Sequence, residues 1–233
     1  MADDLRLRLD ELTENPTARV PVCLALDTSG SMAGAKLQEL NAALAAFYAT
    51  VRKDEMASIS AELAIVTFGQ SVAKVTDFSN VNRQTVPALI AGGATPMGAA
   101  VAMSLDMLEQ AKRVYSEMGV DYFQPWLVLM TDGEPTDDIT EAVRRCRDLV
   151  GKRKLTVFPI AIGKDANLGT LQSFSPNLPP LRMESTDLRR FFAWLSMSIS
   201  NASMSNPGDK QAAQLGEIAF RKATVDWHTG FNS

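Results

Sequence analysis

Residues 20–26 form an almost unbroken apolar run that stops at Asp27-Thr28-Ser29-Gly30-Ser31. A short continuous run has no polar face to offer water. It fits a strand covered on both sides, as in a parallel sheet between two helical layers. Residues 126–130 repeat the pattern and give way to Thr131-Asp132-Gly133. A third run spans 155–162, with Pro159 removing one ladder donor. Residues 61–68 predict a fourth strand. Gly69-Gln70 and then 72–76 predict a hairpin return, whose second strand lies at the sheet edge where Lys74 is tolerated.

Helical periodicity fills the gaps between these strands. Leu37, Leu40, Leu44, Phe47 and Val51 recur at spacings of three and four. Thr95-Pro96 reads as the cap and first residue of a second helix, continued by Val101, Leu105 and Leu108. Asp137 or Asp138 is expected to cap a third, with Ile139, Val143, Cys146 and Val150 inward and Arg144, Arg145 and Arg147 outward. The last periodic helix starts near Asp187 and buries Leu188, Phe192, Leu195 and Ile199. This alternation predicts an α/β, doubly wound, Rossmann-like domain. Its central sheet is mostly parallel with one antiparallel edge strand, and helices cover both faces.

The domain is expected over residues 20–200, behind an N-terminal extension at 1–19 and ahead of a linker and tail at 201–233. In the extension, Leu5, Leu9 and Leu12 suit one face of a helix, while Leu5, Leu7 and Leu9 suit a strand; both stay open. Asn201 to Gly208 is a linker by composition. Residues 209–233, with Ile218, Phe220, Trp227 and His228, lack strong periodicity and are expected to be dispensable for the fold.

Composition narrows the function. Of 233 residues, 46% are hydrophobic and 21% charged, which excludes dominant disorder and a coiled coil. A net charge of −4 argues against neutralising phosphates, so no nucleic-acid partner is expected. Cys23 and Cys146 make neither a metal spacing nor a disulfide framework and read as buried, reduced thiols. His228 is the single histidine, which removes histidine triads and HExxH zinc sites from the body of the chain. The start Met1-Ala2-Asp3-Asp4 is acidic, unlike a secretory leader, and no apolar run nears the ~18–20 residues that span a bilayer. A soluble, cytoplasmic protein without a membrane partner is expected.

In a doubly wound sheet, binding sites lie outside the carboxyl ends of the strands. Three loops there are polar in a specific way: the DxSxS of Asp27, Ser29 and Ser31; Gly92-Gly93-Ala94-Thr95-Pro96; and Thr131-Asp132-Gly133. Asp27 and Asp132 with Ser29, Ser31 and Thr95 offer two carboxylates and three hydroxyls, a hard-oxygen set suited to Mg²⁺, or to Mn²⁺. Taken singly, Asp27-Ser29-Ser31 and Thr95-Pro96 also suit helix caps; their conjunction with Asp132 points to a metal. Gly92-Gly93 lacks the GxxxxGK[ST] context of a phosphate loop. Glu134, Asp137 and Asp138 are expected to cap a helix and tune the rim. The basic residues from Arg144 to Lys154 read as a solvated helix face, and Tyr122, Phe123 and Trp126 as core.

At these residues the chain resembles the von Willebrand factor A domain and its metal-ion-dependent adhesion site, from about residue 20 to 200. The stretches RVPVCLALDTSGSM, AELAIVTFG, GGATPMGAAV, DYFQPWLVLMTDGEPTDD and VFPIAIG are most similar to the bacterial TerY-type, YegL-like branch. The resemblance implies that Ser29 and Ser31 ligate the metal directly and Thr95 directly or through water. Asp27 and Asp132 would act mainly through waters and hydroxyls, leaving a position for a partner's Asp or Glu. It implies a non-enzymatic interaction module in a tellurite-resistance or stress-response system, beside a kinase and a phosphatase. A partner subunit of an AAA+ ATPase, a metal-dependent hydrolase and an extracellular adhesin are the rival readings.

Overall fold

The computed structural model describes residues 2–207 together with 217, 220 and 221, with side chains from residue 8 onward. Six strands form one sheet in the order β3-β2-β1-β4-β5-β6: β1 (Val20–Asp27), β2 (Ala61–Phe68), β3 (Val72–Asn80), β4 (Trp126–Thr131), β5 (Thr156–Ile162) and β6 (Leu181–Met183). All neighbours are parallel except β2 and β3, the expected edge hairpin. Every residue of β1, β2, β4 and β5 is buried, as their continuous apolar composition requires.

Alternate strand residues feed two cores. Val22, Leu24, Leu26, Val128, Phe158 and Ile160 face the layer containing α2 (Ala35–Lys53) and α7 (Leu188–Ser203). Cys23, Ala25, Leu127, Leu129 and Val157 face α4 (Met97–Met118) and α5 (Thr140–Gly151). Both cysteines are buried free thiols, and burial pushes each up to about 12. Three elements escaped the sequence: the six-residue helix α3 (Glu55–Ser60), the seven-residue helix α6 (Leu168–Phe174) and three-residue β6. None is long enough to repeat its period twice.

The N-terminal extension is a helix, α1 (Ala2–Glu14), with Leu12 in the second core. Charge also fixes it. Glu62, wholly buried at the start of β2, accepts from Arg8 at 2.9 Å and from the Tyr115 hydroxyl at 2.7 Å. Arg19, also fully buried, lies 3.5 Å from Glu62 and 3.1 Å from Glu11. Among the described residues no helix is long and apolar enough to cross a membrane.

Two expectations near the C-terminus change. Helix α7 runs to Ser203, so its last turn takes up residues that composition alone assigns to a linker. Phe220 is fully buried, its ring 5.2 Å from Phe158 and 5.5 Å from Trp194, so the tail contributes to the core at this point. Ile218, Trp227 and His228 lie outside the described residues. Phe220→Ala is expected to cost about 3–5 kcal/mol in urea unfolding, and truncation after Pro207 at least as much. An unchanged midpoint for both would restore the dispensable tail.

Candidate metal centre

Strands β1 and β4 pair in parallel with Leu26 opposite Met130, so their polar ends emerge side by side. The Thr131 hydroxyl donates to Asp27 Oδ2 at 2.5 Å, and the Ser29 N–H donates to Asp27 Oδ1 at 2.7 Å. One residue beyond β4, Asp132 Oδ1 accepts from the Ser31 hydroxyl at 2.6 Å. The Ser29 and Ser31 hydroxyls are 3.0 Å apart. Asp27, Ser29, Ser31 and Asp132 therefore make one continuous hydrogen-bonded run. Asp27, Ser29 and Asp132 are buried while Ser31 is exposed, so the run descends from a mouth at Ser31 to a floor of two carboxylates.

The threonine loop is brought to the same place by its backbone. Gly92 N–H donates to Thr28 O at 2.8 Å, and Gly30 N–H to Gly93 O at 3.0 Å. Gly93 has φ +78, and a Cβ there would sit 2.4 Å from the Gln70 Cα, so only glycine lets the loop approach the β2–β3 turn. Thr95 is buried and held by Thr136: its N–H donates to Thr136 Oγ1 at 3.1 Å, and its carbonyl accepts from Thr136 N–H at 2.9 Å.

Two capping expectations are corrected. Thr95 does not cap α4; Pro96 occupies the cap position and makes no side-chain cap. The carboxylate of Asp137 does that work from another loop, accepting Gly98 N–H at 2.9 Å and Ala99 N–H at 2.8 Å, where the helix dipole favours negative charge. Asp138 alone serves α5, accepting from Thr140 N–H at 2.9 Å. Thr95 is thus free of the capping role that its sequence position suggested.

Four contributors went unread in the sequence: Thr131, Thr136, Asp137 in its real role, and Lys36. The Lys36 ammonium lies 2.5 Å from Asp132 Oδ2. The TDG string contained the Thr131 signal; nothing local marked Lys36.

Burial pushes the Asp27 carboxyl above its ordinary range. The hydrogen bonds from Ser29 and Thr131 oppose that, and the nearby charge of Asp132 adds to it. Among the described residues no group of three or more His, Cys, Asp or Glu is placed to hold a metal ion by itself. The donors here are two carboxylates and neighbouring hydroxyls, all hard oxygens, and Lys36 offsets only one of the two negative charges. That set fits a small dication.

Asp27→Asn removes the repulsion while its amide can donate to Thr131 Oγ1 and its carbonyl can accept from Ser29. In chelated buffer at neutral pH its melting midpoint is expected to rise by a few degrees. Because the folded pKa of Asp27 is raised, ionised Asp27 weakens the fold above that pKa and not below the unfolded value. The advantage of Asn should therefore fade as pH falls from the raised value of Asp27 to the ordinary carboxylate value. A variant that melts far below the parent would show that the Asp27 charge is structural.

A model of the von Willebrand factor type A domain matches residues 22–188. No curated protein sequence matches the chain. Among solved structures, a von Willebrand factor type A protein from Catenulispora acidiphila aligns with TM-score 0.57 at 20% identity, over 78% of this chain and 43% of its own. Proximal thread matrix protein 1 from the mussel byssus, with a zinc-occupied MIDAS motif, gives 0.54 at 16%, over 78% and 48%. Manganese-loaded TRAP protein from Plasmodium vivax gives 0.51 at 19%, over 76% and 74%. The chain spans less than half the length of the first two. At these identities the likeness is one of fold, and it agrees with the sheet order, the antiparallel edge and the helical layers. With the family model covering β1 through the start of α7, this chain belongs to the von Willebrand factor type A domain family.

Proposed function

We propose that this chain is a non-enzymatic protein-interaction module. Its recognition element is Mg²⁺ or Mn²⁺ held by Asp27, Ser29, Ser31, Thr95 and Asp132. The observation that carries this reading is the hydrogen-bonded run from Asp27 to Asp132 at the paired ends of β1 and β4, with two buried carboxylates and one compensating ammonium. When bound, the ion supplies a Lewis-acidic position for an oxygen ligand. The chain's own part is to hold the oxygens in place, to offset one of the two negative charges with Lys36, and to present a mouth at Ser31. The zinc and manganese named for the mussel and Plasmodium proteins support a divalent ion at this position.

A partner fitting this site inserts one Asp or Glu, flanked by contacts with loops 92–95 and 133–138. The resemblance to TerY-type proteins supports a bacterial cytoplasmic setting in tellurite resistance or stress response, beside a kinase and a phosphatase. Residues 20–200 are the proposed module.

Metal that binds only the folded state stabilises it by about 2.7 kcal/mol at a hundred times its Kd, or about 5–10 °C for a domain of this size. Millimolar Mg²⁺ or Mn²⁺ is expected to raise the midpoint by that order, and Asp27→Ala or Thr95→Ala to abolish the effect. A partner captured from the native host should release in EDTA and tolerate Arg144→Glu. Equal capture with EDTA and with Asp27→Ala would overturn the metal as recognition element and direct attention to the basic residues from Arg144 to Lys154.

A further inference from the structure

Asp132 has both oxygens engaged, Oδ1 by the Ser31 hydroxyl and Oδ2 by the Lys36 ammonium, and its side chain is entirely withdrawn from solvent. Lys36 sits in the first turn of α2 with 32% of its side chain exposed. That is an unfavourable place for a cation, because the helix dipole presents its positive end there and α2 has no side-chain cap to offset it. The packing of α2 does not need the charge either: Leu40, Leu44, Phe47 and Val51 hold the helix to the sheet. The ammonium is directed to the metal centre against its local helical preference.

The charge count makes the arrangement consequential. Asp27 and Asp132 contribute two negative charges and Lys36 one positive. A dication added beside an unmoved ammonium would place two cations on one carboxylate in a poorly solvated site, where like charges repel strongly. Lysine has a flexible four-carbon stem and a strongly hydrated head, so it can withdraw to water without moving α2.

Resting on the metal-site reading above, we propose that Lys36 is a tethered cation that competes with the divalent ion for Asp132. In the metal-free protein it holds Asp132 and, through it, the Ser31 hydroxyl. On metal entry it leaves Asp132 for the rim. Lys36 thereby sets the metal affinity lower than the oxygen donors alone would give and keeps the empty site ordered.

The test uses the whole chain, with Mn²⁺ alone as the probe in titration calorimetry. Lys36→Met removes the competing charge at similar length. Lys36→Gln keeps a hydrogen-bond donor toward Asp132 without the charge, and serves if the methionine variant does not fold. Both are expected to bind Mn²⁺ at least tenfold more tightly than the parent, a difference of about 1.4 kcal/mol. Both should melt below the parent in chelated buffer, with the gap closing in saturating Mn²⁺. In the parent, saturating Mn²⁺ should increase acylation of the Lys36 amine several-fold by mass spectrometry, while exposed Lys53 stays constant. Binding by the variants where the parent binds none would support the competition in its strongest form. If parent and variants bind Mn²⁺ equally and Lys36 labelling is unchanged, the competition is overturned and the metal site stands. If none of the proteins binds Mn²⁺, both readings fall.

Discussion

Two carboxylates brought side by side at the ends of adjacent parallel strands, and buried there, set the terms for the upper end of this molecule. Asp27 closes β1 and Asp132 follows β4, and these strands neighbour each other because the sheet order reverses between them. From β1 the chain proceeds outward to β2 and β3 on one side, then returns to build β4, β5 and β6 on the other. At such a switch point the connecting loops part to opposite faces and leave a crevice. The donors around it, Ser29 N–H, the Thr131 hydroxyl and the Ser31 hydroxyl, stabilise ionised carboxylates. They do not neutralise them. A net negative charge therefore remains in a place water reaches poorly, and the loops are built around that fact.

The opposite end of the sheet handles the same problem differently. Glu62 is as buried as Asp27, but it meets Arg8, Arg19 and the Tyr115 hydroxyl, and Arg19 also meets Glu11. Two acids face two guanidiniums, so the cluster balances within the chain. Arginine's planar fork makes several directed bonds at once, including those Arg19 gives to the carbonyls of Thr17 and Asn15. Breaking such a buried pair leaves an uncompensated charge, so the cluster acts as a lock for α1. At the upper end the compensating group among the described residues is a single lysine on a flexible, partly exposed stem. One end is closed by the chain's own charges; among the described residues the other is left one charge short, and a dication balances its two carboxylates where it takes the place of the lysine.

The fold was legible wherever burial covered both sheet faces, because 20–26, 126–130 and 155–162 then carry no polar alternation to mislead. The edge hairpin was legible from Gly69-Gln70 between two strand-like runs. Elements shorter than two periods, α3, α6 and β6, left no pattern to read. Capping failed for a different reason. Asp137 lies next to α5 in sequence yet caps α4, because the segment after β4 folds back over the threonine loop through Thr136. A cap donated from 39 residues away has no local signature. In the site, the three oxygen loops could be read because each sits at a strand end or before a helix. Lys36 could not, since only the packing of α2 into the first core brings its stem to Asp132. Phe220 hid for the same reason: a lone aromatic without periodic neighbours gives no sign of the hole it fills between Phe158 and Trp194.

Recognition by the proposed module has to come from more than the ion. A single carboxylate on a hydrated dication exchanges one oxygen for another, so the gain over water depends on excluding water from the rim. The loop that leads into Gly92 carries one exposed apolar side chain. Ile90 is 85% exposed, two residues before the Gly92 that hydrogen-bonds the Thr28 carbonyl. Its loop is not slack: the Asn41 side chain donates to Leu89 O at 3.0 Å and accepts from Leu89 N–H at 2.8 Å, while Leu89 itself is buried. This two-point clamp, anchored in α2, fixes the segment that leads into Thr95. The same helix thus carries Lys36 to Asp132 and Asn41 to Leu89. A partner carboxylate of the kind proposed would meet a loop already ordered by this clamp, and the ordering cost would fall largely on the partner.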